Sequence, residues 1–235
     1  MTTLAESVRL ALGLMAGFDA HLFGIVALSL RVSIASTLCA TVIGLPIGAA
    51  LAVRTFRGRG AIVATLNALM GMPPVVMGLL VYLMLSRAGP LGSLGLLFTP
   101  GAMVIAQTLL IAPIVAALSR QVIEDLWAEY SEQLRSLGSG RTKSVGTLLW
   151  DGRFSLVTVV LAGFGRAAAE VGAIIIVGGN IDGFTRTMTT TIALETSKGD
   201  LPRAIALGGV LVGIIVIVNA LAWSTQRLGA RFSGA

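Results

Sequence analysis

IVALSLRVSIASTLCATVIGLPIGAALAV, residues 25–53, is one long apolar run. A helix rises about 1.5 Å per residue and the hydrocarbon core of a bilayer is about 30 Å thick, so roughly 20 apolar residues make a crossing. This run exceeds that length and is read as a span that tilts or extends beyond the bilayer. Working outward, four further segments qualify, at about 61–86, 102–119, 154–177 and 204–223. The whole chain agrees: of its 235 residues 55% are hydrophobic, only 12% are charged and 29 are glycine. A soluble domain carries about twice that share of charge. The fold class read here is an all-α polytopic transmembrane helical bundle of about five spans over residues 21–230. Ahead of it, residues 1–20 hold one early cation, Arg9, and a short apolar stretch with no small-residue cleavage site. They read as a retained interfacial segment, not a signal peptide.

The formal charge of +6 would point to nucleic acid if it sat on a polar surface. Its distribution gives another reason for it. Placing the 54–60 loop, residues 120–153 and the C-terminal tail on one side collects Arg54, Arg57, Arg59, Arg120, Arg135, Arg141, Lys143, Arg153, Arg227 and Arg231. The opposite side holds Arg9, Arg87, Arg186, Lys198 and Arg203. Cytoplasmic loops retain Lys and Arg, so the C-terminus is read as cytoplasmic and the N-terminus as external. No nucleic-acid partner is expected. Cys39 and His21 are each the sole residue of their type, so no intrachain disulfide, metal cluster or cofactor is expected either.

Prolines are spread through the spans. Pro46 sits in GLPIG at 44–48, Pro73 and Pro74 in GMPP at 71–74, and Pro113 in the third segment. A proline frees a backbone carbonyl that needs a partner from a neighbouring helix or from water. Three interrupted spans are expected, either lining a wet pathway or kinked for packing alone.

Residues 120–153 are the most hydrophilic stretch. Leu126, Tyr130, Leu134 and Leu137 recur at helical spacing on one face, with Glu124, Asp125, Glu129, Glu132 and Arg135 elsewhere. Gly138 supplies the stop. The following GSGRTKS, 138–144, superficially resembles a phosphate loop, but there the lysine must follow a glycine directly. Lys143 follows Thr142. Such a loop also needs an α/β domain of about 150 soluble residues, for which the chain has no room. The helix and its glycine turn read instead as a docking surface for a cytoplasmic protein, or as a helix resting on the bilayer, although such helices are usually basic.

EQLRSLGSG, residues 132–140, resembles the E-A-A-x-x-x-G coupling motif of type I ABC importer permeases. Gln133 and Leu134 replace the two alanines, and the family's downstream Leu-Pro falls at Trp150 and Asp151. GFGRAAAEVGAIIIVGGNIDGFTRTMTTTIALETSKGD, residues 163–200, is similar to the permeases of tungstate uptake systems and, more loosely, to those for molybdate and sulfate. SLRVSIASTLCATVIGLPIGAALAV (29–53) and MPPVVMGLLVYLML (72–85) resemble the first core spans of that family, so the likeness covers nearly the whole chain. It implies an importer subunit for an oxyanion, tungstate first and molybdate or sulfate as alternatives. It further implies cytoplasmic ATP-binding subunits that grip the helix through Glu132, Leu134, Leu137 and Gly138, and an extracytoplasmic substrate-binding protein. Five spans rich in small residues make half a bundle, so a homodimer in membrane lipid is expected. No nucleophile, base and orienter are grouped, and the chain is read as non-catalytic.

Arg166 and Glu170, four apart, fall on one face of a helical fourth span, where an unpaired charge would cost at least ~2.5 kcal/mol. They are candidates for the pathway, or else an ion pair that locks the span to a neighbour. The external loop 178–200 offers Asn180, Thr185, Thr187, Thr189, Thr190 and Thr191 as neutral donors and Arg186 as a cation. Such donors suit weak, releasable contact with a tetrahedral dianion, contact with the binding protein, or helix capping. The competing class is an ATPase-independent secondary carrier or channel. It would need internal repeats or several intramembrane carboxylates, and only Glu170 lies within a span.

Overall fold

The computed structural model describes residues 20–233 and Gly13, so the proposed N-terminal segment 1–20 lies, apart from Gly13 and Ala20, outside the described residues. The elements in order are α1 (Ala20–Val53), α2 (Arg59–Met70), α3 (Pro74–Leu85), a 3-10 turn at Gly92–Leu94, α4 (Pro100–Ser136), α5 (Arg141–Asp151), α6 (Arg153–Ala168), α7 (Gly172–Gly178), α8 (Met188–Lys198) and α9 (Leu201–Ser233). No strand occurs among the described residues. Three of these helices are long and apolar enough to cross a membrane, and the number rises to five if each of two sharply bent helix pairs counts as one span.

The segment expected at 61–86 is two helices. α2 stops at Met70 and α3 starts at Pro74; a proline in the first turn of a helix lacks an N–H that would have had no intrahelical partner anyway. The other proline expectation is corrected. Pro46 and Pro113 lie inside continuous helices, because one missing hydrogen bond kinks a long packed helix without ending it. The third segment does not stop at Ser119 either. α4 runs unbroken for 37 residues, about 55 Å at the helical rise, so the amphipathic stretch is the continuation of the span and not a separate loop helix. The fourth segment is split into α6 and α7, and the 178–200 loop contains α8.

The chain divides into two compact units. One comprises residues up to Ser36, Pro73–Gln107 and Gly165–Ile217. Its core includes Ile25, Met188 and Leu207, packed by Leu22, Val26, Ile192 and Leu211. Within it α3 lies against α7 so closely that a Cβ on Gly78 would come within 2.8 Å of Ala173 Cα. The other unit comprises Thr37–Met72, Thr108–Phe164 and the residues from Val218 onward. Ala49, Ala52 and Val53 of α1 meet Ile123 of α4, Leu148 of α5 and Leu156 of α6 in its core.

In that second unit a Cβ on Gly48 would overlap the Ala116 carbonyl and the Ser119 hydroxyl of α4. Small residues let membrane helices approach to backbone contact, so Gly48→Val should be destabilising by about 1–3 kcal/mol through overpacking. The check is the melting temperature and folded yield of the purified permease in detergent. An unchanged melting temperature would contradict the close approach.

Candidate anion pathway and coupling surface

The break between α6 and α7 has no proline. It is built from Glu170, whose side chain is 3% accessible. One carboxylate oxygen accepts from Arg166 Nη1 at 2.6 Å, and the other accepts the Ala173 backbone N–H at 3.1 Å. That second bond satisfies a donor at the start of α7 which would otherwise be orphaned. The freed backbone of the break is met from elsewhere in the same unit. Gln107 Nε2 donates to Ala167 O at 2.9 Å while its Oε1 accepts from Ser36 Oγ at 2.7 Å, and Thr189 Oγ1 donates to Glu170 O at 2.7 Å. Arg166 and Glu170 therefore do meet, but across a helix end and not along one helical face. Arg166 remains 36% accessible and Glu170 is enclosed. The pair fixes the break.

The 179–187 turn is tied internally. Thr185 Oγ1 donates to Gly178 O at 2.6 Å and accepts from Ile181 N at 2.9 Å. Thr187 and Thr190 form a reciprocal capping box at the start of α8, and Thr191 donates to Thr187 O at 2.6 Å. All five threonines from 185 to 191 are buried, so their hydroxyls hold backbone in this conformation. Asn180 takes a positive φ of 50°, and its Oδ1 is buried without a hydrogen-bond partner. Arg186 pairs with Asp182 at 3.0 Å, and Asp182 also lies 2.9 Å from His21 Nε2. The His21 hydrogen bond, reinforced by Arg186 and only partly opposed by desolvation, holds the Asp182 carboxyl below its ordinary range.

Two residues that the sequence reading did not single out belong here. Gln107 ties α4 to the break. Arg31 lines a cavity of about 480 Å³ together with Phe23, Gly24, Phe184 and Arg186. Polar residues within apolar runs were the available signal for both.

In the second unit α4 ends in a Schellman motif. Gly138 takes a φ of 74°, its N–H donates to Arg135 O at 2.9 Å, and the Ser139 N–H donates to Leu134 O at 2.9 Å. A left-handed residue at this point is close to free only for glycine. The apolar face expected on this helix is real but mostly used: Leu126, Tyr130 and Leu134 pack on the core of their own unit. Leu137 at 81% and Trp150 at 69% accessibility remain outside it, and Glu132 is exposed. Nearer the span, Glu124 accepts from both Arg59 and Arg120, and Arg59 Nε also donates to Leu51 O at 2.7 Å.

No protein-family model matches the chain. Curated relatives do. The chain is 40% identical over 217 residues, 90% of either chain, to a probable anion ABC transporter permease of Haloferax volcanii. It is 39% identical over 227 residues, 97% of this chain and all of the relative, to the tungstate uptake system permease protein TupB of Peptoclostridium acidaminophilum. To the molybdenum transport system permease protein ModB of Azotobacter vinelandii the identity falls to 26% over 221 residues, 91% of this chain and 98% of the relative. Long apolar helices, a helix end that leaves a lone leucine exposed, and two relatives near 40% over almost the full length carry one conclusion: this multi-pass membrane protein belongs to the ABC transporter permease family.

Proposed function

We propose that the chain is the permease subunit of an ABC importer for tungstate. It works as a homodimer, receives the anion from an extracytoplasmic binding protein, and is driven by ATP-binding subunits on the cytoplasmic side. The observation that carries the substrate is the gradient of similarity: 39% identity to a tungstate permease over its whole length, against 26% to a molybdenum permease. The subunit itself makes and breaks no covalent bond. Its C-terminus is cytoplasmic and its N-terminus external, on the distribution of Lys and Arg.

Glu132, Leu134, Leu137 and Gly138 form the ATPase-coupling end of α4. Exposed Leu137 beside a rigid glycine turn supports this role, since a helix end fits a groove through one or two apolar anchors. Arg166, Glu170, Asn180, Thr185, Arg186, Thr189 and Thr190 shape the pathway or its gate. The internal bonding of Glu170 and the threonines supports a gate whose backbone they hold, with direct anion contact left to cations.

The test is uptake in cells lacking their own tungstate and molybdate importers, supplied with this permease and its partner subunits and measured by elemental analysis. At nanomolar anion, cellular tungsten should rise at least tenfold over the vector control, with little gain in molybdenum. Equal accumulation of molybdenum, or no tungsten gain, would overturn the substrate.

A further inference from the structure

We infer that Arg31, with Arg186 as its second cation, forms a water-filled relay site for the tetrahedral dianion on its way into the permease. The inference rests on the tungstate importer reading and adds to it a site and a charge requirement. Arg31 sits eleven residues into α1, within the apolar run that makes this helix a membrane span. Its side chain is exposed in the single chain, and no acid among the described residues pairs with it, in contrast to Arg166, which Glu170 neutralises.

A guanidinium in an apolar span must face water, a partner or an anion, because lipid solvates it poorly. Arg31 faces a cavity of about 480 Å³, whose other charged and titratable side chains are Arg186 and His21. Asp182 pairs with Arg186 and contacts His21. Two fixed cations against one carboxylate leave the site with a surplus positive charge on the Arg31 side. Phe23 and Phe184 form part of the wall, and apolar walls focus the field of a charge towards an anion.

A guanidinium presents paired N–H donors that match two oxygens of a tetrahedral oxyanion. A single unneutralised cation also meets the requirement that conduction sites bind weakly enough to release. Arg166 offers less of this because Glu170 neutralises its charge, and the hydroxyls of Thr185 and Thr189 donate to backbone carbonyls inside the protein.

The experiment uses the full transporter in proteoliposomes, with binding protein loaded with tungstate and ATP supplied. Arg31→Gln should lower the tungstate uptake rate at least tenfold, and Arg31→Lys should retain a third or more of it. The decisive arm is an Arg31→Cys variant in a Cys39→Ser background, treated from outside with water-soluble thiol reagents of either charge. A cationic aminoethyl adduct should restore uptake several-fold, and an anionic sulfonatoethyl adduct should not. Equal uptake by Arg31→Gln and wild type, failure of either reagent to label the introduced thiol, or equal effects of the two adducts would overturn the site. So would an Arg31→Gln permease that loses its oligomeric state, since the arginine would then be an interface residue. Absence of tungstate uptake by the wild type would instead overturn the importer reading.

Discussion

Glu170→Ala should markedly lower the melting temperature and the folded yield of the permease. The substitution removes the carboxylate that pairs with Arg166 and caps the Ala173 N–H, so a partly buried guanidinium and a helix-start donor both lose their partner. Breaking a fully buried pair costs about 3–5 kcal/mol. Arg166 is 36% accessible and water recovers part of that, while the orphaned N–H adds about 1–3 kcal/mol. A net loss of about 3 kcal/mol is a large part of the stability of most domains.

Glu170→Gln separates the two effects. Its amide oxygen still accepts from Ala173 and only the ion pair is lost, so its melting temperature should fall between those of wild type and Glu170→Ala. In a cycle with Arg166→Gln, the double variant should be less destabilised than the sum of the single variants, because it leaves no unpaired charge. Additive losses would show that the pair does not hold the break.

The second large effect is expected at the far end of α4. Leu137→Glu should reduce co-purification of the ATP-binding subunits at least tenfold while leaving the permease folded, since the side chain is 81% accessible and lies outside the described core of its own unit. The few anchors at the centre of an interface that dominate binding cost about 2 kcal/mol or more when truncated, and an added carboxylate in the same groove worsens the loss through desolvation. Gly138→Val tests the same surface through the backbone. At a φ of 74° a β-branched residue costs about 1–2 kcal/mol and would unwind the turn that aims Leu137. Leu134→Ala should behave differently and lower permease stability, because Leu134 packs on the core. Intact ATPase attachment in both Leu137→Glu and Gly138→Val would remove this end of α4 from the coupling surface.

The same residues show how far the chain could be read before its structure. Apolar length picked out runs that the structure makes helical, because lipid demands such length of any segment that crosses it. The glycine stop at 138 was also legible, since a left-handed helix end has a local signature. The proline reading worked at Pro74, where the ring begins a helix, and failed at Pro46 and Pro113, where long helices run on. The break at 169–171 was not legible because half of what holds it is distant in sequence: beside the local bonds of Glu170 to Arg166 and Ala173, Gln107 and Thr189 satisfy backbone carbonyls at the break. For the same reason the threonine-rich stretch looked like available donors. Whether a hydroxyl is free depends on which carbonyl folds back onto it, and spacing does not encode that. Leu126, Tyr130 and Leu134 were placed on one face, yet only packing decides that this face is covered and that Leu137 is not.

The contact of α3 with α7 also bears on how the chain enters its membrane during synthesis. α3 is 12 residues, about 18 Å at the helical rise, too short to cross alone. The α7 residues that receive Gly78 emerge from the ribosome some ninety positions later. Residues 59–85 have the length of a span only as a bent pair, and the seat of Gly78 on α7 forms only after Gly178 has been made, so a nascent polypeptide stalled before that point should be more open to protease at α3 than the finished chain.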